Sequence, residues 1–185
     1  MLQIDLTSPE TVITFWFKEV SPEQWWKRSD VFDQRIRTDF GALHQAAQRG
    51  ELYAWRETAR GRLAEIIILD QFSRNIYRDD RRAFACDPMA LALAQSAVSA
   101  RSDLELDAVH RAFLYMPYMH SESAMIHVAA ISLFSAPGLE KDLAFELRHK
   151  AIIDRFDRFP HRNAILGRQS TPEETAFLMT EGSSF

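Results

Sequence analysis

Four side chains have the types and settings that acid–base chemistry uses: Asp70, His120, Glu122 and His149. Asp70 closes an apolar run in Leu63-Ala-Glu-Ile-Ile-Ile-Leu-Asp-Gln-Phe-Ser-Arg-Asn75, where Leu63, Ile66, Ile67 and Asp70 stand at i, i+3, i+4 and i+7. A helix with that pattern places the carboxylate on a buried stripe. A lone buried carboxylate is costly, and Arg74, four residues on, can face it across one turn. The pair is therefore either an internal lock on helix packing or a means of orienting Arg74 toward a ligand. His120 and Glu122 follow Pro117, which removes one helical amide and frees the carbonyl of Phe113. A kink or a fresh helix start at such a place can open space for a site. His149 has Ile152, Ile153 and Phe156 at i+3, i+4 and i+7. It is either a hydrogen-bonded core histidine or, like His120, a general base oriented by Glu122 or Asp70.

The second kind of chemistry is anion binding. From Arg148 to Arg168 there are six Lys or Arg against Asp154 and Asp157, a local excess of four positive charges in a chain whose net charge is -4. An arginine fork grips carboxylate or phosphate bidentately, so Arg155, Arg158, His161, Arg162, Asn163 and Arg168, with Arg74 and Asn75, are the candidate ligand-binding set. The alternative is that these arginines pair with acids elsewhere, such as Asp70 or Glu122. No metal or other cofactor is expected. If the helix ran straight through Pro117, residues two apart would diverge by about 200°, so His120 and Glu122 could not share an ion. His127, which would share the face of His120, lies seven residues away rather than at the i, i+4 pairing usual on helices. The chain has no Gly-x-Ser-x-Gly elbow, Walker loop or dinucleotide glycine fingerprint. Cys86, before Asp87-Pro88, reads as a small buried residue.

The elements that must position these groups are helices. Ser8-Pro9-Glu10, Ser21-Pro22-Glu23-Gln24 and Thr171-Pro172-Glu173-Glu174 have the form of helix starts, the last two with a residue placed to complete a capping box; Asp87-Pro88 opens another. Helices are predicted roughly over 9–20, 22–28, 30–48, 51–56, 58–73, 88–100, 105–135 with a break near Pro117, 139–157 and 172–180. No alternating segment reads as a strand. The fold class is all-α: helical hairpins packed as a bundle or a short superhelix. No Pro-, Gly- or Ser-rich linker divides the 185 residues, so one helical domain over 1–185 is expected.

Composition narrows the function classes. A net charge of -4 provides no general field for nucleic acid. The longest mostly apolar stretch, Ala124 to Ala136, is too short to span a bilayer, so no membrane partner is expected. A single cysteine and a first segment, Met1-Leu-Gln-Ile-Asp5, unlike a secretory signal lead to the expectation of a cytoplasmic protein.

The blocks Phe15-Trp-Phe17, Phe32-Asp-Gln-Arg-Ile36, Leu69-Asp-Gln-Phe-Ser-Arg-Asn75, Ala83-Phe-Ala-Cys-Asp-Pro88, Tyr115-Met-Pro-Tyr-Met-His-Ser-Glu122 and Arg155-Phe-Asp-Arg-Phe-Pro-His-Arg-Asn163, then Leu166-Gly-Arg168 and Ser170-Thr-Pro-Glu-Glu174, resemble the bacterial family known as domain of unknown function 924. The resemblance covers nearly the whole chain. It implies an all-helical fold similar to tetratricopeptide-type superhelices and brings no established reaction. It also implies that Asp70, Arg74, Asn75, His120, Glu122, His149, Arg155, Arg158, His161, Arg162, Asn163 and Arg168 belong to the family pattern. Asp157 stands where the family has Gly, His127 where Gln is common, and Glu65 where the residue is usually apolar. The readings that follow are a binding module for a small anion or an acidic peptide end, a metal-independent hydrolase or transferase using His120 or His149, or a scaffold whose polar groups form one internal network.

Overall fold

The computed structural model describes residues 8–184, and every regular element among them is helical. Helix α1 (Pro9–Thr14) starts where Ser8 Oγ accepts the Glu10 amide at 3.3 Å, with Pro9 supplying a preset first turn. It widens into a π-turn, Phe15–Glu19, that carries Phe15 and Trp16 into the core. The helix expected over 22–28 is not formed. Ser21 donates its amide to Gln24 Oε1 at 3.0 Å, half of a capping box, but the chain only turns. Trp25 is held back there, its Nε1 donating to the Trp16 carbonyl at 3.0 Å and its ring against Phe17 and Phe113.

Helix α2 (Asp30–Gln48) is capped by Ser29. Helix α3 (Ala59–Ile67) is capped by Thr58, whose Oγ1 accepts the Gly61 amide at 3.0 Å. It passes through a second π-turn, Ile68–Phe72, into α4 (Ser73–Ile76). Leu63 to Leu69 are buried without a break, as the apolar run predicts, and α1, α2 and the helices over Asp87–Ser99 and Ala108–Met119 pack around this element. The aromatic residues fill the space between them: Phe40 lies 4.7 Å from Phe15 and 4.9 Å from Phe72 between ring centroids.

Helix α5 (Asp87–Ser99) begins at the Asp-Pro pair, followed by α6 (Ala108–Met119), α7 (Ala124–Phe134) and α8 (Glu140–Phe156). The stretch expected over 105–135 with a break near Pro117 is two helices, and the break begins at His120. Proline sits in the last turn of α6, where it removes the amide that would bond the Phe113 carbonyl, and the chain leaves the helix at His120 to re-enter at Ala124. Helix α8 ends on Asp157, which takes the left-handed conformation at φ 53°. A side chain adopts this conformation less readily than glycine does. Short α9 (Asn163–Leu166) and α10 (Pro172–Leu178) follow, the latter with the full capping box of Thr171 and Glu174. Ile152, Ile153 and Phe159 form a small core of their own beneath this last segment. No described helix is long and apolar enough to cross a membrane.

Two glycines test the packing. A Cβ on Gly61 would fall 2.0 Å from the Trp55 carbonyl oxygen, a backbone atom that cannot step aside, whereas one on Gly41, inside α2, would meet nothing within 4 Å. Gly61→Ala is expected to lower stability by about 1–3 kcal/mol or more, and Gly41→Ala to raise it by about 0.5–1 kcal/mol. Urea unfolding of the two variants checks both signs.

Candidate functional site

The π-turn at Ile68–Phe72 carries Asp70, which is 1% exposed. Three side chains converge on its carboxylate. His120 Nδ1 lies 2.8 Å from Oδ1, Gln71 Nε2 donates to Oδ2 at 2.6 Å, and Arg74 Nη1 stands 3.1 Å from Oδ1. Burial by itself would push this carboxyl up, but the charge of Arg74 and the bonds from His120 and Gln71 hold it well below the usual carboxylate value. An ionised carboxylate only accepts, so the proton of His120 is on Nδ1 and its Nε2 is bare. Burial also lowers the His120 pKa, against the pull of Asp70, which keeps the ring neutral near pH 7.

Arg74 turns its other edge to Asp87, with both nitrogens 3.1 Å from the two carboxylate oxygens. Asp87 also accepts from Arg162 Nη1 at 3.2 Å, and Arg162 Nη2 donates to the His120 carbonyl at 3.1 Å. The Arg162 guanidinium is held between two rings, 4.6 Å from the centroid of Phe84 and 4.7 Å from that of Phe159. Burial, followed by the like charge of Arg74, brings its pKa down to about 10, so it stays charged at neutral pH. Asp70, Arg74, Asp87 and Arg162 thus alternate in sign along one connected series.

This chain of charges ends at a pocket of about 610 Å³ whose walls include His120, Ser121, Glu122, Arg162, Asp87, Arg81, Phe84, Leu91 and Leu166. The His120 side chain, 15% exposed, makes one hydrogen bond among the described residues, through Nδ1. The straight-helix argument that kept His120 and Glu122 apart does not apply, because α6 has ended and both residues line the same pocket. A second hollow, about 600 Å³, is lined by Arg37, Tyr77, Arg82 and neighbours with no histidine or carboxylate among them.

The structure divides the remaining candidates. Glu122 accepts from Arg168 at 2.6 and 2.9 Å and from the Phe159 amide at 2.7 Å. Burial would raise the Glu122 pKa, and these donors lower it on balance. Arg168 Nε donates to Asn163 Oδ1, Asn163 reaches Ser170 and Glu174, and Arg158 holds Glu174 at 2.6 and 2.7 Å. Arg155 pairs with Glu173 on the surface. Asn75 donates to Asp33, a carboxylate it shares with Arg78, and does not line the pocket. His149 is a core histidine, with Nδ1 2.8 Å from the Phe145 carbonyl. His161 sits with its ring centroid 5.7 Å from that of Phe159. His127 lies against Glu146 at 2.7 Å and the Ser121 carbonyl at 2.8 Å. Among the described residues no three His, Cys, Asp or Glu side chains gather as a metal ion would need.

Asp87 and Phe84 are the site residues that sequence reasoning missed. The Asp-Pro signal marks a helix start, and it hid the second task of a carboxylate that bridges two arginines. Cys86, next to it, is buried and accepts from Gln48.

Fold and site together define an all-helical protein with a small pocket backed by a buried Asp–His pair and an alternating run of charges. The chain belongs to the family described as bacterial protein of unknown function (DUF924), whose profile it matches over residues 12–182. A solved structure of a protein of unknown function from Agrobacterium tumefaciens is similar to it, with 36% sequence identity, a TM-score of 0.88, and coverage of 92% of this chain and 96% of that one. Comparison with curated proteins gives no significant match.

Buried neutral histidines give stability a definite pH dependence. Burial lowers His44 and His161 to about 4 and His149 to about 3. Their folded pKa values lie below that of an unfolded histidine, about 6.5, so below that value the unfolded state binds more protons and gains on the folded one. Stability is therefore expected to be full above about pH 6.5 and to fall as pH drops toward 4, by at most about 2 kcal/mol per histidine at pH 5. Urea midpoints at pH 7.5, 6 and 5 measure this, and a flat profile over that range would contradict the neutral burial of these rings.

Proposed function

We propose that the pocket binds a small anionic molecule, with Arg162 as the residue that receives the anionic group. One observation carries this reading. A guanidinium has five N–H donors, and Arg162, 5% exposed at the pocket wall, makes two hydrogen bonds among the described residues, its buried Nε having no partner. Such surplus donor capacity in a desolvated place is expensive unless something accepts it. An anion would also offset the repulsion from Arg74. Arg81, on the rim, forms no ion pair among the described residues and supplies a second positive charge. Phe84, Leu91 and Leu166 provide apolar surface for the rest of a small ligand.

The basic segment that stands out in the sequence supports this reading through Arg162 alone. Arg155, Arg158 and Arg168 have carboxylate partners and serve to hold the last part of the chain in place.

The test compares anions by thermal unfolding at equal ionic strength, with chloride as reference and acetate, benzoate, phosphate and sulfate as probes. A ligand that binds only the folded state raises the melting temperature by mass action and saturates, whereas excluded salts act without saturation. Benzoate is expected to stabilise saturably and more than acetate, and Arg162→Lys and Arg81→Gln to weaken the response while leaving the chain folded. No saturable response to any of the four, or one unchanged in both variants, would refute the proposal.

A further inference from the structure

We propose that the same pocket hydrolyses carboxylic esters of small anionic molecules, with His120 Nε2 as the general base. The inference rests on the anion-binding reading above and adds a reaction to it. Its basis is the geometry of His120. Asp70 accepts the hydrogen bond from Nδ1–H at 2.8 Å, and Gln71 and Arg74 fix Asp70 in turn, so the ring has one orientation and one tautomer. His120 lines the pocket, and its Nε2 has no partner among the described residues and is not one of the fully buried unpartnered polar atoms. A histidine needed only to satisfy Asp70 would have no reason to border a cavity, since Gln71 and Arg74 already do so from the same helix.

The anion subsite and the base are mechanically joined. Arg162 Nη2 donates to the His120 backbone carbonyl at 3.1 Å, so a carboxylate held by this guanidinium is placed within one small molecule of the imidazole. Holding the reactants in that relation is a large part of what a catalytic site does. The nucleophile in this proposal is water, activated by His120.

In the reaction a water molecule bonded to His120 Nε2 gives that nitrogen a proton while its oxygen attacks the ester carbonyl carbon. The tetrahedral adduct then collapses. The bond from carbon to the alcohol oxygen breaks, and the departing oxygen takes the proton back from Nε2. One water is consumed, an acid and an alcohol are released, the histidine is regenerated and nothing is oxidised or reduced. Asp70 touches no reacting atom; it is a positioning residue that favours the imidazolium formed midway.

The experiment uses the whole chain with 4-acetoxybenzoate, following release of 4-hydroxybenzoate by absorbance, and with its uncharged methyl ester for comparison. Binding of 4-acetamidobenzoate, a far less labile amide of the same shape, is measured separately by calorimetry. Turnover of the anionic ester well above that of the methyl ester is expected. His120→Asn and His120→Gln should each cut kcat by about 10²-fold or more, with amide affinity kept within about threefold. Binding of the amide without ester turnover overturns this inference and leaves the binding reading standing, while absence of both defeats the two together. Turnover that survives in either folded variant also overturns it. Should both variants fail to fold, wild-type turnover in D₂O decides, because transfer of the water proton to Nε2 requires a slower rate there and equal rates exclude it.

Discussion

A carboxylate taken out of water in the middle of an apolar helix is the constraint to which the rest of this structure answers. Asp70 cannot stay charged at 1% exposure without compensation, and each residue that compensates it is itself charged or polar and needs a partner in turn. Arg74 is shared with Asp87, Asp87 with Arg162, and Arg162 with the carbonyl of His120, whose ring returns to Asp70. The circuit joins the π-turn, the start of α5, the end of α6 and the segment after α8. Apolar residues of similar volume commonly match or exceed the stability of such buried pairs. The function proposed above is a role for this circuit beyond what it adds to folding.

A second network has the plainer task of holding the end of the chain. Glu122 ties the α6–α7 junction to Arg168 and the Phe159 amide, and Asn163, Glu174 and Arg158 continue the bonding into α10. The hydrogen bond from Arg158 holds the Glu174 carboxyl down at about 2, well below the usual glutamate value. The two networks meet at one wall of the pocket, where Glu122 and Arg162 stand together. Other buried polar residues have partners too. Glu65, fully buried, receives Nε and Nη2 of Arg56 at 2.7 Å, and His127 is paired with Glu146.

Local signals in the sequence were read correctly where the physics is local. The caps at Ser8 and Thr171, the limits of α2 and the burial of Asp70 follow from spacing within a few residues, as does the pairing of Asp70 with Arg74 at i+4. What failed depends on distance along the chain or on where a helix ends. Asn75, about 100° round the helix from Arg74, meets Asp33 on α2 and does not join it. His120 and Glu122 come together because α6 stops after Met119, a boundary that Pro117 foretold only approximately. The links from Asp87 to Arg162 and from Asp70 to His120 span 75 and 50 residues, and no periodicity within a helix can name a partner that far away.

The account turns on the state of one ring. Long-range ¹H–¹⁵N spectra of the protein at neutral pH, assigned through a His120→Gln variant, report which nitrogen of His120 carries a proton. A neutral ring with the proton on Nδ1 and a bare Nε2 is the expected result, since an ionised Asp70 accepts from Nδ1. A proton on Nε2 alone, or an imidazolium at pH 7, would mean that Asp70 does not orient a free base toward the pocket, and the central claim would be wrong.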